Sequence, residues 1–468
     1  MIRLAARESR FSPVAAGLLG GYAALIAVAP RGEVAVALAL LPLALGGLWW
    51  TIQTPARWLA AFFYCALLLP PLPIALGDSG PHICLAFAAI GLLAGVLRLP
   101  DWRVRRGILP GSMLLFFAVL LASVSLAALY SGAGIAAGSL ARVLLFGVSV
   151  YIFFYTAHGP AARFDFDIYH AARVMFRIAA ASAAFACLDF YFQFPAPAGY
   201  GPQFVWLDSG VFRRAQGVFY EASTLGNFCA FFLVMIAVAL FYPRRERPIS
   251  RKAMLAGGAV LATALVFSYS RASLINVVVA SATLLYLNRS RFKLGRMVVA
   301  TVVSSASVAL IVYTAFPSFA ANYWRRLVLS WEYLFSATNG ILSGRLDTWR
   351  FLGTFLWDHP WHAILGIGYK TLPYTDFAGR PAVADNMYLS LLLETGIVGL
   401  AAFAAFNIAV LVASWRAAHS DDSRRAFFGL WMFSFWVGQM FQMLSGDLFT
   451  YWRVLPVYFW VLAMAVRV

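Results

Sequence analysis

Apolar runs of about 20 residues recur along nearly the whole chain, each long enough for a helix to cross a bilayer. No other feature constrains the fold as strongly. A backbone group inside lipid has no water to bond, so such a run must close its hydrogen bonds internally as a helix. The period-two alternation of a membrane β-barrel is absent. Only 12% of the residues are charged and 62% are hydrophobic, whereas a soluble domain carries about a quarter charged residues. The expected fold is all-α, a polytopic transmembrane bundle of about 12–14 spans. The spans fall at roughly 11–30, 34–53, 58–76, 81–98, 108–129, 134–157, 169–193, 222–242, 253–269, 272–287, 297–316, 387–415, 426–446 and 449–466.

The net charge is +17, and Lys252, Lys293 and Lys370 are the only lysines. Such a balance can mark a nucleic-acid binder, but here the arginines sit in short loops, where they retain loops on the cytoplasmic side. With a cytoplasmic N-terminus, the loops 99–107, 243–252, 288–296 and 416–425 fall inside and are Arg-rich. The short loops 77–81 and 130–134 fall outside and carry no basic residue. Met1 to Arg10 is basic and precedes a long apolar run, which reads as the first retained span. Cys65, Cys84, Cys187 and Cys229 lie within apolar runs without paired spacing, as small buried side chains do.

Two connections are longer than the rest, from Pro195 to about Glu221 and from Pro317 to Asn386, and both fall on the external face. Loops beyond about 15 residues are usually functional or disordered. The second is too rich in Trp, Phe and Tyr for disorder. Within it, Ser318–Ser336 and Ser343–Trp357 read as amphipathic helices at the membrane surface. The chain thus divides into N-terminal helices (1–193), a first external loop (194–221), helices (222–316), a large external catalytic loop (317–386) and C-terminal helices (387–468).

External arginines run against the usual inward bias. They are Arg213, Arg214 and Arg271, then Arg325, Arg326, Arg345, Arg350 and Arg380 with Lys370. Long loops translocate regardless of charge, which would leave those of the second loop merely solvated. Arg214 and Arg271 abut span ends, where a guanidinium needs a partner at headgroup level, and a pyrophosphate suits its fork of donors. Asp385 stands just before a span, as a helix cap or as a base. Glu394 lies roughly 13 Å deeper on the opposite face of a continuous helix, so it cannot pair with Asp385. It is expected to bond a neighbouring helix, with Gly396 and Gly399 permitting close approach. Asp165-Phe166-Asp167 has the form of a metal-binding DxD element but lies on a short loop with no room for a nucleotide domain. His359 and His362 flank Pro360 without a third ligand, so no metal site is expected. Arg142 and Asp189 sit within apolar runs and need partners there.

The ordered set resembles the O-antigen ligase and polysaccharide polymerase superfamily. Its pieces are Arg214–Glu221 (RAQGVFYE), Ser268-Tyr269-Ser270-Arg271, Gly344-Arg345 with Trp349, Pro360 with Gly366-Ile367-Gly368, and Asp385-Asn386-Met387-Tyr388-Leu389 with Glu394-Thr395-Gly396. The resemblance spans about 205–405; the N-terminal half matches only in hydropathy. It implies a GT-C-like membrane glycosyltransferase that needs no metal or cofactor. The implied donor is a glycan on undecaprenyl pyrophosphate, at the external face of the bacterial inner membrane. Implied partners are this donor, a glycan acceptor, membrane lipids and other polysaccharide assembly proteins, with no nucleic acid. Asp385 stands where the ligases carry His, which is closer to the exopolysaccharide polymerases. Only Glu221 carries over from a Glu-Pro-Asn element, since Ala222 and Ser223 follow it. Catalytic roles then fall to Asp385, Arg214 and Arg271, and substrate contacts to Arg213, Glu221, Arg345, Asn386 and Tyr388. Polymerisation of repeat units is the first reading, ligation to a lipid or protein acceptor the nearest alternative. A flippase would line a central path with polar groups, whereas here they concentrate at external loops and span ends.

This topology is testable. Single cysteines placed in Pro317–Asn386 and in 243–252 should label from opposite sides with an impermeant reagent in intact cells. Labelling of both from one side would overturn the orientation.

Overall fold

The computed structural model describes residues 21–26, 28, 32–72, 81–163, 167–196, 200–207, 210–243, 246–289, 313–314, 317–332 and 345–467. Most of the expected span 297–316, most of the span 11–30, residues 77–80 of the loop 77–81, Asp165, Phe166 and Gly344 lie outside them. In chain order the helices are α1 (Gly32–Gln53), α2 (Pro55–Leu68), α3 (Cys84–Leu97), α4 (Ile108–Ser131), α5 (Ala133–Ala157), α6 (Ile168–Phe192), α7 (Ala222–Phe241), α8 (Arg251–Phe267), α9 (Arg271–Leu287), α10 (Pro317–Glu332), α11 (Arg345–Asp358), α12 (Pro360–Leu365), α13 (Met387–Ala418), α14 (Ser423–Gln442) and α15 (Leu455–Val466). The molecule is an all-α polytopic membrane protein.

Among the described residues, α4, α5, α6, α7 and α13 are long and apolar enough to cross a bilayer. Several expected spans are shorter than the sequence suggests. Helices α2 and α3 have 14 residues each, about 21 Å, against a hydrocarbon core of about 30 Å. The expected span 449–466 shrinks to the 12 residues of α15. This helix is apolar on every side because it is enclosed on every side: Leu455 to Ala465 are all buried, between α5, α13 and α14. Hydropathy alone does not separate a lipid-facing helix from one enclosed by protein.

The first long connection is not plain loop. Strands β1 (Phe204–Leu207) and β2 (Gly210–Arg213) pair antiparallel, with Phe204 opposite Arg213 and Leu207 opposite Gly210. The expected surface helices are found as α10 and α11, followed by the short α12. Both long connections gather at one end of the bundle, where Ser131 donates to Thr375 (2.9 Å) and Arg214 to the Ser268 carbonyl (2.8 Å). The Arg-rich turns meet at the other end. There Ser423 donates to Glu246 (2.8 Å), the Arg103 amide to the His158 carbonyl (2.8 Å) and Arg467 to the Ala162 carbonyl (2.8 Å).

Helix α13 breaks at Gly396, whose φ of 66° and ψ of −172° are not helical. The carbonyls of Leu393 and Glu394, at the break, accept from the amides of Ile367 (3.1 Å) and Gly368 (2.8 Å). The segment after α12 thus supplies donors that the interrupted helix would otherwise lack. Backbones approach closely enough that a Cβ on Gly366 would strike the Glu394–Thr395 peptide, and one on Gly396 the Ile364 carbonyl. This corrects the reading of Glu394. Its Oε1 accepts from the Leu372 amide (3.4 Å), in an irregular segment rather than a neighbouring helix. Gly396 does serve close approach, but toward the end of α12, while a Cβ on Gly399 would first strike Thr395 of the same element.

Gly396→Ala should therefore cost more than about 2 kcal/mol, since a left-handed residue and a backbone collision add. Detergent-solubilised protein should melt well below the parent; an unchanged melting temperature would contradict the docking.

Candidate functional site

The turn joining α8 to α9 is the first wall of the site. Ser268, Tyr269 and Ser270 pack over Gly226 of α7, where any Cβ would touch all three serine side chains, Ser268, Ser270 and Ser273. Small hydroxyl residues allow this approach. Ser270 caps α9 by accepting from the Ser273 amide (3.4 Å). The end of the hairpin docks on the same turn, with the Ala215 amide donating to the Phe267 carbonyl (2.9 Å) and Arg214 Nε to the Ser268 carbonyl (2.8 Å). Arg214 and Arg271, 57 positions apart in sequence, thereby come within electrostatic range of each other. Burial lowers the Arg214 pKa from its usual value; Tyr451 and Glu221 oppose this shift and Arg271 adds to it.

The second wall comes from α11 and the start of α13. Arg345 acts electrostatically on Arg271 and forms an ion pair with Asp385, Nε to Oδ2 at 3.2 Å. Trp349 Nε1 fixes the segment before Asp385 by donating to the Ala384 carbonyl (2.7 Å). Asp385 takes a left-handed φ of 46° and is half exposed. Asn386 caps α13 instead: its Oδ1 accepts from the amides of Tyr388 (3.0 Å) and Leu389 (3.1 Å). Asp385 is thereby spared from capping.

Between the walls lies a cavity of ≈ 270 Å³ whose polar lining includes Glu221, Arg345, Lys370, Asp385, Glu394 and Asp447. Asp385, just before α13, and Glu394, within it, thus face one space. Glu394 Oε2 has no hydrogen bond among the described residues. Arg214 and Arg271 are not part of this lining, whereas the neighbours of Arg271, Ser270 and Ala272, take part in it. Lys370, which lines both this cavity and a second one, forms a part-buried ion pair with Asp447 of the first. This second cavity has ≈ 390 Å³ and is aromatic, with Tyr200, Tyr220, Tyr374 and Trp452 among its lining. Arg453 also reaches it, held by the carbonyls of Ala66 (3.0 Å), Leu69 (2.6 Å) and Val218 (2.5 Å). Burial pulls the Arg453 pKa down to about 10, so it stays charged at neutral pH.

Not every residue expected at the site lies there. Arg213 turns away and pairs with Asp189 of α6 at 3.2 Å, which gives the intramembrane Asp189 its partner. Arg142 bonds Tyr374 (2.7 Å), and the two line the aromatic cavity together. Tyr388 packs in the core and donates to the Met440 carbonyl (3.0 Å). Asp167 caps α6 through the Tyr169 amide (2.9 Å) and pairs with Arg173 (3.1 Å). His359 and His362 pack on the Phe355 ring. Sequence reasoning missed Asp447, Tyr451 and Arg453. Asp447 had one signal, an acidic residue in a short turn between two apolar runs.

Residues 256–404 match the family profile described as O-antigen ligase, consistent with the O-antigen ligase and polymerase superfamily. The match covers about a third of the chain. It holds Arg271, Arg345, Lys370, Asp385 and Glu394, whereas Arg214, Glu221 and Asp447 lie outside it. A search of curated proteins finds no match.

The capping assignment separates two adjacent residues. Asn386→Ala should cost about 1 kcal/mol of stability, while Asp385→Ala should stay within about 0.5 kcal/mol. Thermal melts showing the reverse order would return the cap to Asp385.

Proposed function

We propose that this chain, whose residues 256–404 match the O-antigen ligase family, polymerises glycan repeat units carried on undecaprenyl pyrophosphate into a bacterial surface polysaccharide. The reaction takes place at the external face of the inner membrane and uses no metal. The observation that carries this reading is the convergence of Arg214, Arg271 and Arg345 beside Asp385. Three guanidiniums gathered in a partly buried place repel one another, and a pyrophosphate turns that repulsion into attraction. The Arg345 fork, which lines the cavity, suits its oxygens, and the positive field of Arg214 and Arg271 beside it stabilises charge as it develops on the leaving group.

Glycosyl transfer forms a bond from an acceptor hydroxyl oxygen to the anomeric carbon. It breaks the bond from that carbon to the pyrophosphate oxygen. The electron pair leaves with the pyrophosphate, next to the arginines, and the acceptor proton passes to Asp385. In the resting site Arg345 holds Asp385. An arriving pyrophosphate competes for Arg345 and frees the carboxylate to orient the acceptor hydroxyl. Donor binding thus prepares the base. The aromatic cavity that shares Lys370 offers ring faces and polar groups to the sugars of the chain.

Reconstituted protein given an undecaprenyl-pyrophosphate-linked oligosaccharide should lengthen it. Asp385→Asn should slow elongation at least about 100-fold, the scale of a lost general base. Arg214→Lys and Arg271→Lys should not rescue well, because Lys lacks the fork of donors. Near-normal chain lengths from all three variants at matched protein levels would overturn the mechanism.

A further inference from the structure

We infer that the end of the bundle opposite the cavities binds the headgroup of an anionic phospholipid. The site is a basic cleft of ≈ 530 Å³ between the starts of α6 and α8 and the connection that precedes α8. Helix α8 has 17 residues, about 25 Å, and its far end carries the turn that receives Arg214. The cleft and the candidate active site are therefore separate.

The lining has a basic rim and an apolar floor. The rim is Arg173, Arg177, Arg247, Arg251 and Lys252. The floor is Phe176, Pro248 and Ile249, all buried. Arg173 and Arg177 lie one turn apart on the same face of α6. Arg173 is partly neutralised by Asp167, and Arg247 is held by the carbonyls of Tyr242 (2.8 Å) and Leu240 (3.2 Å). Arg177, Arg251 and Lys252 are exposed and make no ion pair among the described residues. The start of α8 adds the positive end of its helix dipole, with Ser250 accepting from the Ala253 amide (3.3 Å).

Retention of a loop on one side of a membrane requires basic residues near span ends, but it requires neither a cleft nor an apolar floor. A phospholipid uses all three features. Its phosphates meet the rim, its glycerol region meets the floor, and its acyl chains run along the helices. Leu255, one turn deeper on α8 than Arg251, is 66% exposed and provides such a path. Basic pockets between membrane helices are suited to headgroups with several phosphates, so cardiolipin is the probe of choice.

The test uses delipidated full-length protein in a neutral detergent, with bound lipid counted by native mass spectrometry and melting temperature followed in parallel. Cardiolipin should bind and raise the melting temperature; phosphatidylcholine and inorganic phosphate should not. The triple variant Arg177→Gln, Arg251→Gln, Lys252→Gln should bind cardiolipin at least about tenfold more weakly. A control removes three charges from another turn at the same end, Arg103→Gln, Arg105→Gln and Arg106→Gln, and should keep wild-type binding. Counting bound lipid reads the site even if a variant is less stable. Equal loss in both triple variants, or loss in neither, would overturn the proposal. An equal effect of inorganic phosphate would do so too, by showing a free-anion site instead.

Discussion

A backbone group at membrane depth must find a partner within the protein, and the site depends on how this chain meets that demand where α13 is interrupted. At Gly396 the helical path stops, and the carbonyls of Leu393 and Glu394 take the amides of Ile367 and Gly368. One exchange of bonds does three things. It closes the interrupted helix, it anchors the end of the large connection, and it presents Lys370 and Leu372 beside Glu394. The site is thus built on a rigid backbone junction rather than on a free loop, which favours precise placement of charged groups.

The same economy governs polar side chains below the site. Asn227 and Asn276 donate to Gln442 (2.8 and 2.9 Å), Gln442 donates to Ser273 (3.1 Å), and the Tyr458 hydroxyl bonds Asn227. These residues belong to α7, α9, α14 and α15, so one buried amide cluster ties four helices. In lipid-like surroundings such bonds fix register between helices that have no hydrophobic reason to choose one. Charge is treated differently. It is gathered where the two walls of the site meet, and there the guanidiniums reinforce one another's field and an anion relieves it.

Much of this was legible in the sequence, for identifiable reasons. Spans follow from hydropathy, and the site end follows from arginines placed against the usual bias. Asp385, Arg271 and Arg214 were each singled out because a charge beside an apolar run needs a reason, and Arg345 because it belongs to the motifs that carry the resemblance. What stayed hidden depends on partners distant in sequence. Arg213 resembles Arg214 until Asp189 is seen beside it. Asp385 and Glu394 looked incompatible because a helix wheel describes one helix and not a cavity that runs along it. Asn386 and Asp385 compete for one cap, and only backbone torsions decide between them. Helix α15 read as a span because enclosure by protein and by lipid select the same residues.

Arg453 binds the two halves of the molecule in an unusual way. Its guanidinium is held by carbonyls at the end of α2, Ala66 and Leu69, and by Val218. It forms no ion pair among the described residues, so the negative end of a helix dipole serves as its counter-charge. A carboxylate partner would require one particular side chain in the N-terminal half. A carbonyl is supplied by any residue. The N-terminal helices can therefore drift in sequence while still completing the electrostatics of the site, provided that an apolar helix ends at that depth. The wiring asks of the N-terminal half only hydropathy and a helix end at that point.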